Sequence, residues 1–134
     1  MRLLLDTHFV IELIDLGLSP DTDRMHATIV DGRSSVFASV ASLWEATIKF
    51  RLGKLPVRTA LDRWPTLLES AKVPLMPIVP AHVLADIEPE PVTSDPFDRL
   101  LLGICVAENL MLLTRDRALA PHPLAWQSVP QVKK

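Results

Sequence analysis

The chain opens Met1-Arg2-Leu3-Leu4-Leu5-Asp6-Thr7-His8. Leu3, Leu4 and Leu5 form a short apolar run without helical spacing, as in a strand buried on both faces. The run stops at Asp6. A carboxylate just past a buried strand lies at the strand's carboxyl end, where open α/β sheets place their ligands. Asp6 also has an ordinary explanation. Asp6 or Thr7 is a good N-cap for a helix carrying Val10, Ile11 and Ile14.

At 134 residues, the chain is expected to form one domain, 1–134, long enough for a real core. A hydrophobic fraction of 49% fits a compact chain rather than a disordered one. The formal net charge of -2 and a pI near 6.0 announce no nucleic-acid partner, so any such partner needs a local basic patch. The single cysteine, Cys105, excludes an intrachain disulfide and a multi-cysteine zinc site. His8, His26, His82 and His122 lack paired metal-ligand spacing. No apolar run approaches a membrane span, and Asp6 interrupts what would be a signal sequence. The class expected is a soluble cytoplasmic α/β domain.

The other elements follow from pattern. Residues 8–17 read as a helix stopped near Gly17. Ser19-Pro20-Asp21 opens another, running to about Gly32. Val36–Ala38 is a strand, and 40–52 a helix closed by Gly53, with Ser42, Glu45 and Lys49 on one face. Residues 54–59 are loop and 60–72 a helix. Residues 75–79 are a strand that Pro77 confines to an edge. A short helix covers 81–87, and the alternating prolines of Glu88-Pro89-Glu90-Pro91 dictate a loop.

Asp95-Pro96-Phe97-Asp98-Arg99 is the clearest helix start, with Asp95 as cap and Pro96 as first residue. Apolar residues surround that helix, as in one buried mid-fold, and Cys105 is a small core residue within it. Leu110-Met111-Leu112-Leu113 is the next strand. It ends Thr114-Arg115-Asp116, an apolar run followed by an acid, as at the start. A last strand is expected near 126–129, then a frayed end at Lys133 and Lys134. Alternating strands and helices imply a mostly parallel sheet of four to five short strands with helices on both faces.

Asp6, Glu45, Asp98 and Asp116 then stand at comparable places. If the strands are parallel, their carboxyl ends share one edge, where these acids can meet. Each also has a bland role. Glu45 can pair with Lys49 one turn on. Asp98 suits the helix dipole, and Asp116 can cap the turn of Arg117, Ala118 and Leu119. Convergence needs a cation, because two carboxylates about 4 Å apart repel by roughly 4 kcal/mol at an effective dielectric of 20. Oxygen-only ligands suit a hard ion, Mg²⁺ or Mn²⁺. Such an ion activates water and offsets charge on a phosphate under attack. Without it, an acidic pocket repels a phosphodiester.

These residues resemble the PIN-domain ribonucleases, in particular toxins of the VapC type. The likeness covers nearly the whole chain. It rests on Leu4-Leu5-Asp6-Thr7-His8, on Ser39 to Glu45 with Lys49 and Arg51-Leu52-Gly53-Lys54-Leu55, on Asp95-Pro96-Phe97-Asp98-Arg99-Leu100-Leu101, and on Leu112-Leu113-Thr114-Arg115-Asp116. The resemblance implies a PIN-like three-layer fold with Asp6, Glu45, Asp98 and Asp116 as an acidic quartet around Mg²⁺. It implies hydrolysis of RNA phosphodiester bonds leaving a 5′-phosphate, a homodimer, and inhibition by a cognate VapB-like antitoxin. Where many relatives carry a tryptophan-rich stretch, this chain reads Phe9-Val10-Ile11-Glu12-Leu13.

Lys49, Arg51, Lys54, Arg99 and Arg115 are candidates for binding RNA phosphates. Thr114 is placed to anchor the acids, Ser42 to orient a water, and Asp95 is either a cap or a fifth acid. Two other functions compete with the nuclease: an inactive PIN-like module that binds RNA or protein, and another Mg²⁺-dependent phosphate-hydrolysing domain. The second lacks an aspartate shortly after Asp6 and a glycine-rich phosphate loop.

Overall fold

The computed structural model describes residues 1–16 and 24–126, with 24–26 described by backbone alone. Strand β1 (Arg2–Leu5) is followed by helices α1 (Thr7–Asp15) and α2 (Arg24–Val30), then strand β2 (Ser35–Ser39) and helix α3 (Val40–Arg51). A 3-10 turn (Leu61–Arg63) leads into α4 (Trp64–Ser70). Strand β3 (Leu75–Met76), helices α5 (Pro80–Leu84) and α6 (Pro96–Glu108), and strand β4 (Met111–Leu113) complete the order.

The strands form a sheet in the order β3-β2-β1-β4, every pairing parallel. β1 is central and its side chains alternate between two cores, as the strand period requires. Leu3 and Leu5 pack with Phe9 and Val10 of α1 and Trp64 and Leu68 of α4. Leu4 packs with Leu101, Leu102, Ile104 and Cys105 of α6. The expected α/β architecture, a parallel sheet with helices on both faces, is therefore present.

Local chemistry sets the helix ends. Ser39 caps α3 by accepting from the Ala41 amide at 2.9 Å. Gly53, at φ 72°, ends it: the Gly53 amide donates to Phe50 at 3.0 Å and the Lys54 amide to Lys49 at 2.8 Å. That pair of bonds across a left-handed residue is the Schellman stop. Asp95 caps α6 through the Phe97 amide at 2.8 Å, and Asn109, at φ 58°, ends it.

Several sequence expectations need correction. The helix expected over 60–72 is a 3-10 turn plus α4, because Pro65 has no amide to donate and sits in the first turn of a new helix. The strand expected over 75–79 is only Leu75–Met76, at the sheet edge. Pro77 ends the ladder there. The helix expected over 81–87 is Pro80–Leu84, with Ala85 already extended. Ser19-Pro20-Asp21 and nearly all of 126–129 lie outside the described residues. Beside β4, both backbone groups of Leu112 are nevertheless taken: its amide donates to Leu124 and its carbonyl accepts from Trp126, each at 2.8 Å.

Helix α5 is clamped to α6. Buried His82 accepts the Val79 amide at Nδ1, which leaves Nε2 to donate to Glu108 of α6 at 2.7 Å. The close approach depends on Gly103. A Cβ there would lie 2.2 Å from the His82 carbonyl oxygen. Gly103→Ala is therefore expected to lower stability by about 1–3 kcal/mol through overpacking. Helix propensity alone would raise it by roughly 1 kcal/mol. Denaturant unfolding gives the sign.

Candidate active site

The sheet order places a topological switch at β1. From there the chain moves to β2 and β3 on one side, while β4 pairs on the other. Ligands of open α/β sheets bind outside the carboxyl ends of strands at such a point. Asp6 immediately follows β1, and Asp116 lies three residues beyond β4. Glu45 comes from α3 and Asp98 from the first turn of α6. All four line one small cavity of about 60 Å³, together with Thr7, His8, Lys49, Asp95 and Leu101.

Each acid is held by specific donors. Asp6 is only 5% exposed. Its Oδ1 accepts from the Phe9 amide at 3.1 Å and caps α1, while Oδ2 accepts from the Thr114 hydroxyl at 2.5 Å. The capping reading of Asp6 holds through Oδ1, while Oδ2 faces Thr114 and the cavity wall. Glu45 is 7% exposed although it sits on the polar face of α3, because that face turns into the cavity. Its Oε1 lies 2.6 Å from Thr7 Oγ1 and its Oε2 2.5 Å from Lys49 Nζ. Thr7 has one hydroxyl proton, which goes to the carboxylate. Ser42, 3.0 Å away and buried, is left to donate to Thr7 rather than to orient a water.

Asp98 Oδ2 accepts from the Thr93 hydroxyl at 3.1 Å, and Asp116 Oδ1 accepts from the Ala118 amide at 2.8 Å. Thr93 and Thr114 act alike. Thr93 accepts the Asp95 amide, and Thr114 the Asp116 amide, while each hydroxyl proton goes to a further acid. Thr7, Thr93 and Thr114 thus each donate to one member of the quartet. Thr7 and Thr93 escaped sequence reasoning. The repeated Thr-x-Asp spacing of 93–95 and 114–116 was the available signal, since Ser and Thr bond locally to the amide two residues on. Asp95 caps α6, and its side chain also lies on the cavity wall.

The electrostatics follow from the crowding. Burial pushes the Asp6 carboxyl above the usual range, against the bonds from Thr114 and Phe9, with Asp116 adding to the rise. Burial also raises Asp98, to about 6, with Asp95, Asp116 and Glu45 contributing and Thr93 opposing. The Lys49 ammonium is held above the usual lysine range, chiefly by its bond to Glu45. Buried Cys105 is pushed up to about 12 and has no thiolate chemistry at neutral pH.

As they stand, no three His, Cys, Asp or Glu groups among the described residues are gathered tightly enough to hold an ion. Both oxygens of Asp6 and both of Glu45 are already engaged. The donor set still fits a hard divalent cation: it is carboxylate-rich and crowded, with Asp6 and Asp98 raised first by burial and then by their acidic neighbours. Asp98 Oδ1 and Asp116 Oδ2 carry no hydrogen bond among the described residues.

The basic candidates disperse. Only Lys49 lines the acid cavity. Arg115 pairs with Glu12 at 2.9 Å and lies 4.4 Å from the centre of the Phe9 ring, so the unusual Glu12 is matched by a cation. These residues line an adjoining cavity of about 320 Å³ that also touches Asp6 and Asp116. Arg99 pairs with Glu90 and borders a separate apolar cavity of about 370 Å³ with Trp44 and Phe97. Arg51 and Lys54 are exposed around the end of α3.

A family profile described as PIN domain matches residues 3–121. The chain belongs to the PIN-domain family. PIN domains are generally nucleases that use divalent metal ions. The fold of this PIN domain is similar to that in the crystal structure of VapBC2 from Rickettsia felis bound to a DNA fragment from their promoter. The TM-score is 0.61 at 13% identity, covering 93% of this chain and 96% of that one. No curated protein matches the chain. Among the described residues, no helix of this PIN domain is long and apolar enough to cross a membrane.

The raised Asp98 gives a pH test. Its proton is held more tightly in the folded chain than in the unfolded one, so its contribution to stability is full below about pH 3.8 and lost as pH rises through about 6. In chelator, Asp98→Asn is expected to melt close to wild type at pH 4 and above it at pH 7.5. Adding Mg²⁺ at pH 7.5 is expected to raise the wild-type melting temperature and leave the variant nearly unmoved. Thermal melts across that pH range check both.

Proposed function

We propose that this chain is a Mg²⁺-dependent endoribonuclease toxin of the VapC type. The observation that carries the reading is the cavity shared by Asp6, Glu45, Asp98 and Asp116, which come from four separated segments. These residues would hold the ion, with Thr7, Thr93 and Thr114 fixing the carboxylates. When bound, Mg²⁺ supplies the positive charge that lets a phosphodiester approach an acidic pocket and makes water a better nucleophile. Lys49 at the cavity and Arg115 beside it are nearest to receive phosphate oxygens. Arg51, Lys54 and Arg99 lie further out and would contact the flanking RNA backbone. Hydrolysis leaves a 5′-phosphate.

Membership of the PIN-domain family and the likeness to a VapBC complex support further parts of the reading. The whole chain, 1–134, acts as a single cytoplasmic nuclease domain. It forms a homodimer and is silenced by a cognate VapB-like antitoxin.

A second reading is an inactive PIN-like module that binds RNA or protein without cutting. One observation favours it: the acids are not already gathered around an ion position. Calorimetry with Mn²⁺ separates the two, because an inactive module is expected to take up no ion.

Asp6→Asn and Asp98→Asn are each expected to lower RNA cleavage with Mg²⁺ by on the order of 10²-fold or more, as loss of a group that stabilises developing charge does. The variants are expected to stay folded by circular dichroism. Unchanged turnover in either would sink the nuclease reading.

A further inference from the structure

We propose that Lys49 is the built-in counter-cation of the acid cavity, holding Glu45 in the metal-free chain and giving it up when a divalent ion enters. The proposal rests on the reading of that cavity as a metal centre.

Three observations carry it. First, Lys49 follows Glu45 by one turn of α3, and its Nζ sits 2.5 Å from Glu45 Oε2. Glu45 is almost fully buried, and its other oxygen is taken by Thr7. Removing the lysine alone would leave a desolvated carboxylate uncompensated.

Second, Lys49 is the one lysine or arginine on the wall of a cavity that five carboxylates share: Asp6, Glu45, Asp95, Asp98 and Asp116. The arginines that line the other two cavities are each paired with an acid, Arg115 with Glu12 and Arg99 with Glu90.

Third, no three acids stand ready to close on an ion while Lys49 keeps Glu45. A divalent ion that recruits Glu45 competes with the ammonium for the same oxygen, and the two positive charges repel across a space of about 60 Å³. The long, partly exposed lysine can swing out, whereas Asp6 is fixed by Thr114 and by the start of α1. Swung out, the ammonium stays beside the cavity, where the phosphate of a substrate would arrive. Metal entry and phosphate recognition are thereby linked through one side chain.

The test uses the full chain in chelated buffer, with Lys49→Met to keep the alkyl stem and Lys49→Arg to keep the charge. Calorimetric titration with Mn²⁺ is expected to give roughly tenfold tighter binding for Lys49→Met than for wild type, as for release from a competing ion pair. Lys49→Arg is expected to stay near wild type. Without metal, Lys49→Met is expected to melt below wild type, and saturating Mn²⁺ to close that gap.

If wild type binds Mn²⁺ and Lys49→Met binds equally or more weakly, the counter-cation role is overturned and the metal centre stands. If neither takes up the ion, the metal-centre reading falls and this proposal with it. A measurement on wild type needs no variant. The ¹⁵Nζ resonance of Lys49 is expected to move toward that of a solvated lysine on saturation with Mg²⁺, and an unmoved signal overturns the role.

Discussion

The hydrogen bond from the Thr114 hydroxyl to Asp6 spans 108 positions of sequence and ties the end of β1 to the end of β4. Asp6 is buried, so its charge has to be answered locally or not carried at all. Its two oxygens divide the task. One starts α1, and the other takes the threonine that in turn accepts the Asp116 amide. The register of β1 against β4, Leu5 opposite Leu113, brings these groups together. A slip of one residue would turn Leu3 and Leu5 to the wrong core and Asp6 away from Thr114. Packing and site geometry are thus set by the same pairing.

Crowding acids at this edge works against folding. Asp98 and Asp6 are both driven toward neutrality by burial and by their neighbours. A structure built for stability alone would have spread them or replaced some with amides. The three threonines, the amides of Phe9 in the first turn of α1 and of Ala118 in the turn after Asp116, and Lys49 each answer part of that charge. Acids crowded together at this cost support the proposed reading of the cavity as a metal centre.

Much of the frame was legible because its causes are local. Leu3–Leu5 and Leu110–Leu113 read as buried strands from their composition. Gly53 marked a stop because its left-handed backbone suits glycine. Asp95-Pro96 marked a start because both residues favour it. The division of 60–72 was also written in the chain, in Pro65, which signals a helix beginning rather than a helix interior. Thr7 left no local signal, and the Thr-x-Asp spacing at Thr93 marks only its bond to the Asp95 amide, since a threonine's proton goes wherever the tertiary fold puts an acceptor. The acid partners of the basic residues were hidden for the same reason. Arg99 and Arg115, candidates for RNA phosphates, have Glu90 and Glu12 set beside them by the fold.

The two borders of the sheet share a trait. On one side β3 is two residues long and is followed by Pro77. On the other, both main-chain groups of Leu112 are occupied by the 124–126 segment. Among the described residues, β3 thus offers only two residues of edge ladder and Leu112 offers none. Short and occupied edges of this kind disfavour edge-to-edge strand pairing. Among the described residues, the exposed apolar side chains include Val83 and Leu84 on α5 and Trp44 on α3, which is 55% exposed.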